Sequence, residues 1–399
     1  MPNETSANPI PATDAVVVLL VDDQAIVGQA IKQMLAPEAD IQLHYCQEPL
    51  KAIPMANEIK PTVILQDLVM PDIDGLTLLK FFRANAATHE TPMIVLSSKE
   101  EPTIKAQAFG LGANDYLVKL PDRIELIARI RHHSRGYIAQ IQRNEAYRKL
   151  AESEHRLAEE IAQAARYVTS LLPPVVESGP ARIDWRFVPS TQLAGDAFGY
   201  HWLDDRRLAV YLLDVSGHGV GSALLAVTVL NALSHQALPN TDFGDPAAVM
   251  SGLNAIFDME RHGGKFFTIW YGVCDLATRK LTFSGGGHPP TLLRDETKPA
   301  DHSVQVLETP GPIIGLPDMM PFDNISLDLP ASASLLLYSD GAIEIAKPDG
   351  NMATQDEFTE FVAGQDNWDD VMERVIERAR SIRGRPVLDD DCSQLLVRL

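Results

Sequence analysis

The sequence VVVLLVDD at residues 16–23 decides the fold class of the first half of the chain. Its unbroken apolar run, rich in valine, indicates a strand that is buried on both faces and ends at two aspartates. Similar runs follow at residues 62–65, 93–96 and 116–118, with a weaker one at 41–45, and amphipathic stretches separate them. This alternation predicts a doubly wound α/β domain with a five-stranded parallel sheet over residues 16–133.

Polar side chains follow the carboxyl ends of these strands. Asp22 and Asp23 close the first strand, and Asp67, Ser97 and Lys119 end three others. In a parallel sheet, chemistry gathers at this edge. A carboxylate that accepts a phosphoryl group needs Mg²⁺, which neighbouring carboxylates hold, and a hydroxyl and an ammonium for the phosphoryl oxygens. The strand ends therefore predict a phosphoacceptor site.

Residues 16–133 resemble the receiver domain of bacterial response regulators. The motifs that carry the resemblance are VDD at 21–23, DLVMP at 67–71, DG at 74–75, SS at 97–98 and DYLVK at 115–119. The resemblance implies that a histidine kinase or phosphotransfer protein phosphorylates Asp67, which binds Mg²⁺ together with Asp22 and Asp23. It also implies a switch pair, Ser97 and Tyr116, and a phosphoryl contact, Lys119.

One departure from the receiver pattern is Leu120, which separates Lys119 from Pro121, whereas the family usually has proline directly after the lysine. We expect the extra residue to alter the local turn and to leave the ammonium in place. A receiver that never gains phosphate could carry the same residues, so that alternative stays open.

The segment 123–172 contains one glycine and no proline. Apolar residues recur in it with alternating spacings of three and four, as in a heptad repeat. The seam of this repeat comprises Tyr147, Leu150, Glu154, Leu157, Ile161, Ala164, Val168 and Leu171. It predicts a helical linker over residues 134–172, which either covers the core of the second half or forms a coiled coil. We favour the coiled coil, and hence a homodimer, because the surrounding face is charged.

Residues 173–399 alternate strand-like segments with two predicted helices, one after Gly221 and one over residues 246–258, which indicates an α+β domain. Aspartates stand beside glycines in AGD at 194–196, DVSGHG at 214–219 and SDG at 339–341, and DDD occupies 389–391. Hard divalent cations prefer such oxygen ligands, and a pair of them can activate a shared water. No cysteine lies in a phosphate-cradling loop, so a cysteine-based phosphatase is unsupported.

These motifs, with FT at 267–268 and GGGHPP at 285–290, resemble the PPM (PP2C) family of metal-dependent serine/threonine phosphatases, in its sporulation-phosphatase-like branch, from about residue 163 to 399. The resemblance implies an αββα sandwich with two Mn²⁺ or Mg²⁺ ions. Asp214 would bridge both ions with help from the Val215 carbonyl. Asp340 and Asp390 would complete the coordination of one ion, and Asp196 would support the other ion or a third. Counting back from the last strand favours Asp390 over its neighbours.

Asp214, Asp196 and His218 are the predicted catalytic residues. His218 and His288 could each donate a proton to the leaving oxygen, or could each shape a glycine-rich turn, and the turn is the more common role. Two positions depart from the family pattern: Ala194 replaces the first of two glycines, and Gly199 stands where a further aspartate is usual. Because the implied metal ligands are intact, we expect activity.

Composition limits the partners. The chain has 34 Lys+Arg against 54 Asp+Glu and a net charge of −20, which disfavours nucleic acid and anionic membranes as partners. The three cysteines form no CxxC pair, which favours a reducing, cytoplasmic compartment. Residues 1–15 are polar and predict a disordered tail, and no apolar run is long enough to cross a bilayer.

The combined expectation is a response regulator that removes phosphate from serine or threonine of a protein partner, by family resemblance an anti-sigma-factor antagonist. Phosphorylation of Asp67 would control it through the linker helix. One alternative is a non-enzymatic adaptor, which loss of the ligand aspartates would mark. Another is a diguanylate cyclase, but DVSGHG has no place in that signature.

Overall fold

The computed structural model describes residues 15–98, 101–190, 193–299, 303–316 and 320–399. The predicted tail at 1–15 lies, except for its last residue, outside this described part. The chain divides into two compact units, residues 1–155 and 156–399. Each unit is described by itself below.

The first unit contains a five-stranded parallel sheet with the strand order β2-β1-β3-β4-β5. Its elements are β1 (Val16–Val21), α1 (Ala25–Leu35), β2 (Ile41–Cys46), α2 (Ala52–Ile59), β3 (Val63–Asp67), α3 (Gly75–Ala84), β4 (Met93–Ser97), α4 (Pro102–Gly110), β5 (Asp115–Val118) and the start of α5 (Arg123–Ser170). The predicted doubly wound receiver fold is confirmed.

Both faces of this sheet are covered, which explains its continuous apolar strands. Apolar residues of α1 and α5 form a buried cluster on one face, and those of α2, α3 and α4 form a cluster on the other. The strand order reverses beside β1, because β2 lies on one side of it and β3 on the other. Ligands of doubly wound sheets bind at such a reversal, outside the carboxyl ends of the strands.

Helix α5 is a single helix of 48 residues. Its buried residues, Leu126, Ile127, Ile130 and Ser134, all lie in its first third. The heptad seam further along is largely exposed: the exposed fractions of Tyr147, Leu150 and Leu157 are 65%, 55% and 52%. Packing within the first unit therefore covers only the beginning of this helix.

The second unit contains two antiparallel five-stranded sheets, with the orders β13-β10-β9-β8-β7 and β12-β11-β14-β15-β6. Their strands are β6 (Arg182–Val188), β7 (Asp196–Trp202), β8 (Arg207–Val215), β9 (Phe267–Asp275), β10 (Lys280–Gly286), β11 (Thr291–Asp295), β12 (Val304–Leu307), β13 (Ile325–Asp328), β14 (Ala333–Tyr338) and β15 (Cys392–Arg398). The helices are α6 (Val220–Ser234), α7 (Pro246–Ile256), α8 (Gln355–Ala363) and α9 (Val371–Arg383).

Three apolar clusters build this unit as layers. One lies between α6, α7 and the first sheet, one between the two sheets, and one between the second sheet and α8 with α9. The predicted αββα sandwich is confirmed, and the two predicted helices correspond to α6 and α7. Helices α8 and α9 were missed although the sequence marks both. Thr354 and Glu357 form a capping box at α8, and α9 buries one amphipathic face.

Among the described residues, no helix has both the length and the apolar character that crossing a bilayer requires. Although α5 is long enough, it is polar along most of its length.

Candidate functional site

The carboxyl edge of the parallel sheet brings three aspartates together. One carboxylate oxygen each of Asp22, Asp23 and Asp67 lies within 4.8 Å of the others. Asp22 and Asp67 are fully buried, and Asp23 is half-buried. Strands β1 and β3 are neighbours in parallel register, so their carboxyl ends place the three residues side by side.

Lys119 joins this cluster from the end of β5. Its Nζ donates a hydrogen bond to Asp67 Oδ2 at 2.7 Å and lies 3.1 Å from Asp22 Oδ2. Burial alone would lower the pKa of Lys119, but the hydrogen bonds with Asp67 and Asp22 raise it above its ordinary value, so the ammonium stays charged. Burial raises the pKa of Asp22.

The two predicted switch residues stand close to this cluster in the strand register. Ser97 ends β4, which is bonded to β3 on one side and β5 on the other, and Tyr116 lies in β5. Both are buried, and Lys105 Nζ lies 5.3 Å from the centre of the Tyr116 ring. Leu120 adopts a positive φ of 55°, so the inserted residue reshapes the turn, as expected, while Lys119 still reaches Asp67.

The second unit brings four aspartates to one end of its sandwich. Asp196 begins β7 and pairs directly across the sheet with Asp214 of β8. Asp340 follows β14 and Asp390 precedes β15, its antiparallel neighbour, so these two also share one edge. Two glycines permit this convergence. A Cβ at Gly195 would overlap the Val215 carbonyl oxygen, and a Cβ at Gly341 would overlap the Asp391 carbonyl oxygen.

The electrostatics show that these carboxylates act on one another. Burial and then Asp390 raise the pKa of Asp214 to about 6, and burial, Asp214 and Asp390 raise that of Asp340 to about 7. Burial, then Asp214, raise the pKa of Asp196 well above its ordinary value. Like charges at close range disfavour ionisation until a cation compensates them.

This group is looser than the cluster in the receiver. Among the described residues, only Asp22, Asp23 and Asp67 place their ligand atoms within a single 4.8 Å group. The aspartates of the second unit are therefore linked by their effects on one another's pKa and not by one compact group of ligand atoms.

The three consecutive aspartates 389–391 have different environments. Asp389 is exposed and forms ion pairs with Arg383 and Arg385. Asp391 is buried and accepts hydrogen bonds from the backbone N–H groups of Ser190 and Gly195 at 2.8 Å each.

Asp390 is the member of the run whose charge acts on both Asp214 and Asp340. Its side chain is exposed and therefore accessible to a ligand. Asp391 instead holds the segment before Asp196 in place, a role that the sequence reading did not anticipate.

The two histidines differ in the same way. His288 is buried, its Nδ1 lies 2.9 Å from Thr268 Oγ1, and burial lowers its pKa to about 3, so it is a neutral packing residue. His218 is exposed; burial raises the pKa of Asp390, and the charge of His218 moderates that rise. Glu344, which the sequence reading missed, raises the pKa of Asp214 and of Asp340 from the turn after β14.

The residues present fit divalent cations at both sites. Both carboxylate oxygens of Asp196 are buried without a hydrogen-bond partner among the described residues, as is Asp23 Oδ1. The hydroxyls of Ser393 and Ser339 moderate the pKa of Asp196, but Ser339 Oγ donates to the Asp391 carbonyl oxygen instead. Orphaned buried carboxylate oxygens are costly unless a ligand completes them. An all-oxygen donor set is the one that Mg²⁺ and Mn²⁺ prefer.

Comparisons with known proteins agree with the two units. The family model for the response regulator receiver domain matches residues 18–131, and that for stage II sporulation protein E (SpoIIE) matches residues 204–399. Phosphoserine phosphatase RsbP of Bacillus subtilis is 30% identical over 179 residues, which are 44% of this chain and 42% of RsbP. Phosphoserine phosphatase RsbU of the same organism is 25% identical over 170 residues, 42% of this chain and 48% of RsbU.

The chain thus spans less than half the length of these curated relatives. Among solved structures, the SiaA-PP2C domain of Pseudomonas aeruginosa is similar with a TM-score of 0.53 and 19% sequence identity, covering 62% of this chain and 99% of that domain. At this identity the similarity supports the fold alone.

Proposed function

We propose that this chain, which joins a response regulator receiver domain to a PP2C-type phosphatase domain of the SpoIIE kind, hydrolyses phosphoserine or phosphothreonine on a protein partner under the control of Asp67 phosphorylation. The observation that carries the proposal is the mutual rise in pKa of Asp196, Asp214 and Asp340 at one end of the sandwich. Perturbed carboxylates that converge from distant parts of a chain mark functional sites.

In the phosphatase domain, a bound pair of Mn²⁺ or Mg²⁺ ions would supply an activated water and a clamp for the phosphate. Asp214, central in the group, would contribute to both ions together with the Val215 carbonyl. Asp340 and Asp390 would hold one ion, and Asp196 would hold the other from its buried position. His218, accessible beside Asp390, would carry the proton that the leaving serine or threonine oxygen needs.

In the receiver domain, Asp67 would accept the phosphoryl group from a histidine kinase or a phosphotransfer protein. Asp22 and Asp23 would hold Mg²⁺ beside it. The charged Lys119, already bonded to Asp67, would hold a phosphoryl oxygen. Ser97 and Tyr116 would respond to the new charge and pass the change on.

The partner proposals rest on similarity. The relatives RsbP and RsbU are named phosphoserine phosphatases, which supports a phosphorylated protein as substrate. The resemblance to sporulation-type phosphatases suggests an anti-sigma-factor antagonist. The described cysteines are all free and buried, as a reducing cytoplasm would allow. We propose a receiver domain at 16–133, a helical linker at 134–172 and a phosphatase domain at 173–399. We also propose that the chain forms a homodimer through the linker.

The test is the Mn²⁺-dependent hydrolysis of p-nitrophenyl phosphate and of a phosphoserine protein, with and without beryllofluoride as a mimic of the phosphorylated receiver. We expect turnover that requires the metal and a rate that changes with beryllofluoride in the wild type but not in Asp67→Ala. If no turnover occurs with either substrate in either state, the enzymatic proposal fails. A phosphorylation-gated adaptor would then remain.

A further inference from the structure

Lys265 lies at the end of the sandwich where the four candidate metal ligands converge, and it belongs to none of the sequence motifs. It lies two residues before β9, in which Phe267 and Thr268 pair with Val215 and Asp214. The start of β9 is therefore at the same end of the sheet as the candidate metal ligands.

The side chain of Lys265 extends over the loop that follows Asp214. Its Nζ donates to Ser222 Oγ at 2.9 Å and reaches the Ser216 carbonyl oxygen at 3.4 Å. The loop leaves space for it through two glycines. A Cβ at Gly221 would lie 3.0 Å from Lys265 Cε, and a Cβ at Gly217 would lie 3.7 Å from Nζ. Gly217 directly precedes His218, so the ammonium lies over the loop that carries the proposed proton donor.

The charge of Lys265 has no local counterpart. Within the described part of the chain, no carboxylate lies within ion-pair distance of its Nζ, although the protein carries 54 acidic residues. An ammonium has three N–H donors, and the two contacts with Ser222 and Ser216 use two of them. The third N–H group of the Lys265 ammonium is therefore available to donate to an anion at this end of the sandwich.

We propose that Lys265 is a substrate-binding residue whose ammonium donates a hydrogen bond to an oxygen of the substrate's phosphate group. The inference rests on the proposed function and assigns phosphate recognition to a residue outside the metal set. A flexible lysine suits this role because a mobile point charge can follow the phosphate as it separates from the serine oxygen. The competing role is structural, in which Lys265 only fastens the loop to Ser222.

The test measures binding of inorganic phosphate to the full-length protein with Mn²⁺ by calorimetry, in the wild type, Lys265→Met and Lys265→Arg. Lys280→Met is the matched control, because Lys280 begins β10 opposite Asp275, at the other end of the same sheet. Mn²⁺ affinity and the thermal midpoint are measured for every variant. With a phosphoserine peptide, KM and kcat are determined separately.

We expect Lys265→Met to weaken phosphate binding by about five- to tenfold, the range for one partly exposed charge-assisted hydrogen bond, and to raise KM more than it lowers kcat. Lys265→Arg should restore most of the affinity, and Lys280→Met should match the wild type. Unchanged phosphate affinity in Lys265→Met would overturn the inference. A Lys265→Met variant that loses both Mn²⁺ affinity and thermal stability would also overturn the inference, because this combination indicates a purely structural role.

The two proposals fail separately. If the wild type binds phosphate in a Lys265-dependent way but shows no turnover, the inference stands and the phosphatase proposal fails. If turnover is normal but Lys265→Met binds phosphate as tightly as the wild type, the phosphatase proposal stands and the inference fails.

Discussion

Asp389 and Asp390 are adjacent in the chain and carry the same side chain, yet they have different surroundings. Asp389 forms ion pairs with Arg383 and Arg385, whereas Asp390 raises the pKa of Asp340. Counting back from the last strand favoured Asp390 in the sequence, and the charges around it support that choice. These neighbours provide a controlled comparison of two carboxylates.

We expect Asp390→Asn to lower Mn²⁺ affinity and kcat/KM by roughly 10- to 100-fold, because it removes a charged ligand from the group around Asp214. Asp389→Asn should keep both quantities within about twofold, since its exposed ion pairs contribute little. Metal titration and phosphatase kinetics provide the measurements. Equal losses in the two variants would contradict the assignment of Asp390.

The second prediction at this scale concerns pH. The pKa of Asp340 rises from its usual 3.8 to about 7 in the folded protein. Between these values the folded state binds more protons than the unfolded state, so the free energy of unfolding falls as pH rises through this window. In the metal-free wild type, this effect lowers the thermal midpoint as pH rises from about 5 to 7. We expect the decrease to be smaller in Asp340→Asn.

The comparison with the wild type is essential, because His201 and His288 act in the opposite direction. Burial lowers their pKa values to about 4 and about 3, so below their usual pKa of 6.5 falling pH destabilises the folded state through them. The two effects overlap in wild-type data. If the thermal midpoint depends on pH in the same way in the wild type and in Asp340→Asn, Asp340 does not have the raised pKa.

At the scale of elements, α5 combines two environments in one helix. Its first part packs on the parallel sheet, and its heptad seam exposes large apolar side chains further along. A helix of this polarity is marginal unless something covers its apolar stripe. A second copy of the helix in a coiled coil would provide that cover.

We expect Leu157→Lys to shift the full-length protein from dimer to monomer in sedimentation velocity, because it places a charge in the seam. Glu152→Lys introduces the same side chain at an exposed position off the seam and should leave the dimer intact. A wild type that is monomeric with and without beryllofluoride would contradict the coiled coil. So would a Leu157→Lys variant that remains dimeric.

For the whole molecule, the question is how the proposed phosphorylation of Asp67 would affect the proposed phosphatase activity of the second unit. The two units share α5, whose residues run from Arg123 to Ser170 across the boundary at residues 155 and 156. A continuous helix transmits a change of angle or register that a flexible linker does not. We therefore expect control to depend on the integrity of this helix.

Inserting Gly-Gly after Asn144 should abolish the effect of beryllofluoride on the phosphatase rate, while basal turnover and Asp67 phosphorylation persist. Inserting one whole heptad at the same place keeps the seam in phase and should preserve the effect. Rate measurements on both variants decide the matter. Retained control after the Gly-Gly insertion would exclude transmission through α5.

The receiver could be predicted almost completely, because its apolar strands are buried on both faces and their ends carry the reactive residues. The phosphatase domain was harder. Its motifs predicted the sandwich and all four aspartates, but α8, α9 and the four edge strands β6, β7, β12 and β13 were missed. Edge strands are half-exposed, so their patterns are weak, and Glu344 and Lys265 belong to no motif.

By itself the sequence determined the two-part architecture, because strand periodicity and glycine–aspartate turns are local signals. Its resemblance to known families supplied the candidate phosphoacceptor Asp67 and the candidate metal ligands. Only the tertiary structure decided which carboxylates raise one another's pKa, and that Asp391 is buried and accepts backbone hydrogen bonds. It also decided that His288 is neutral and that Lys265 lies over the loop after Asp214. Those properties depend on burial and on distances between residues far apart in the chain, which no local pattern encodes.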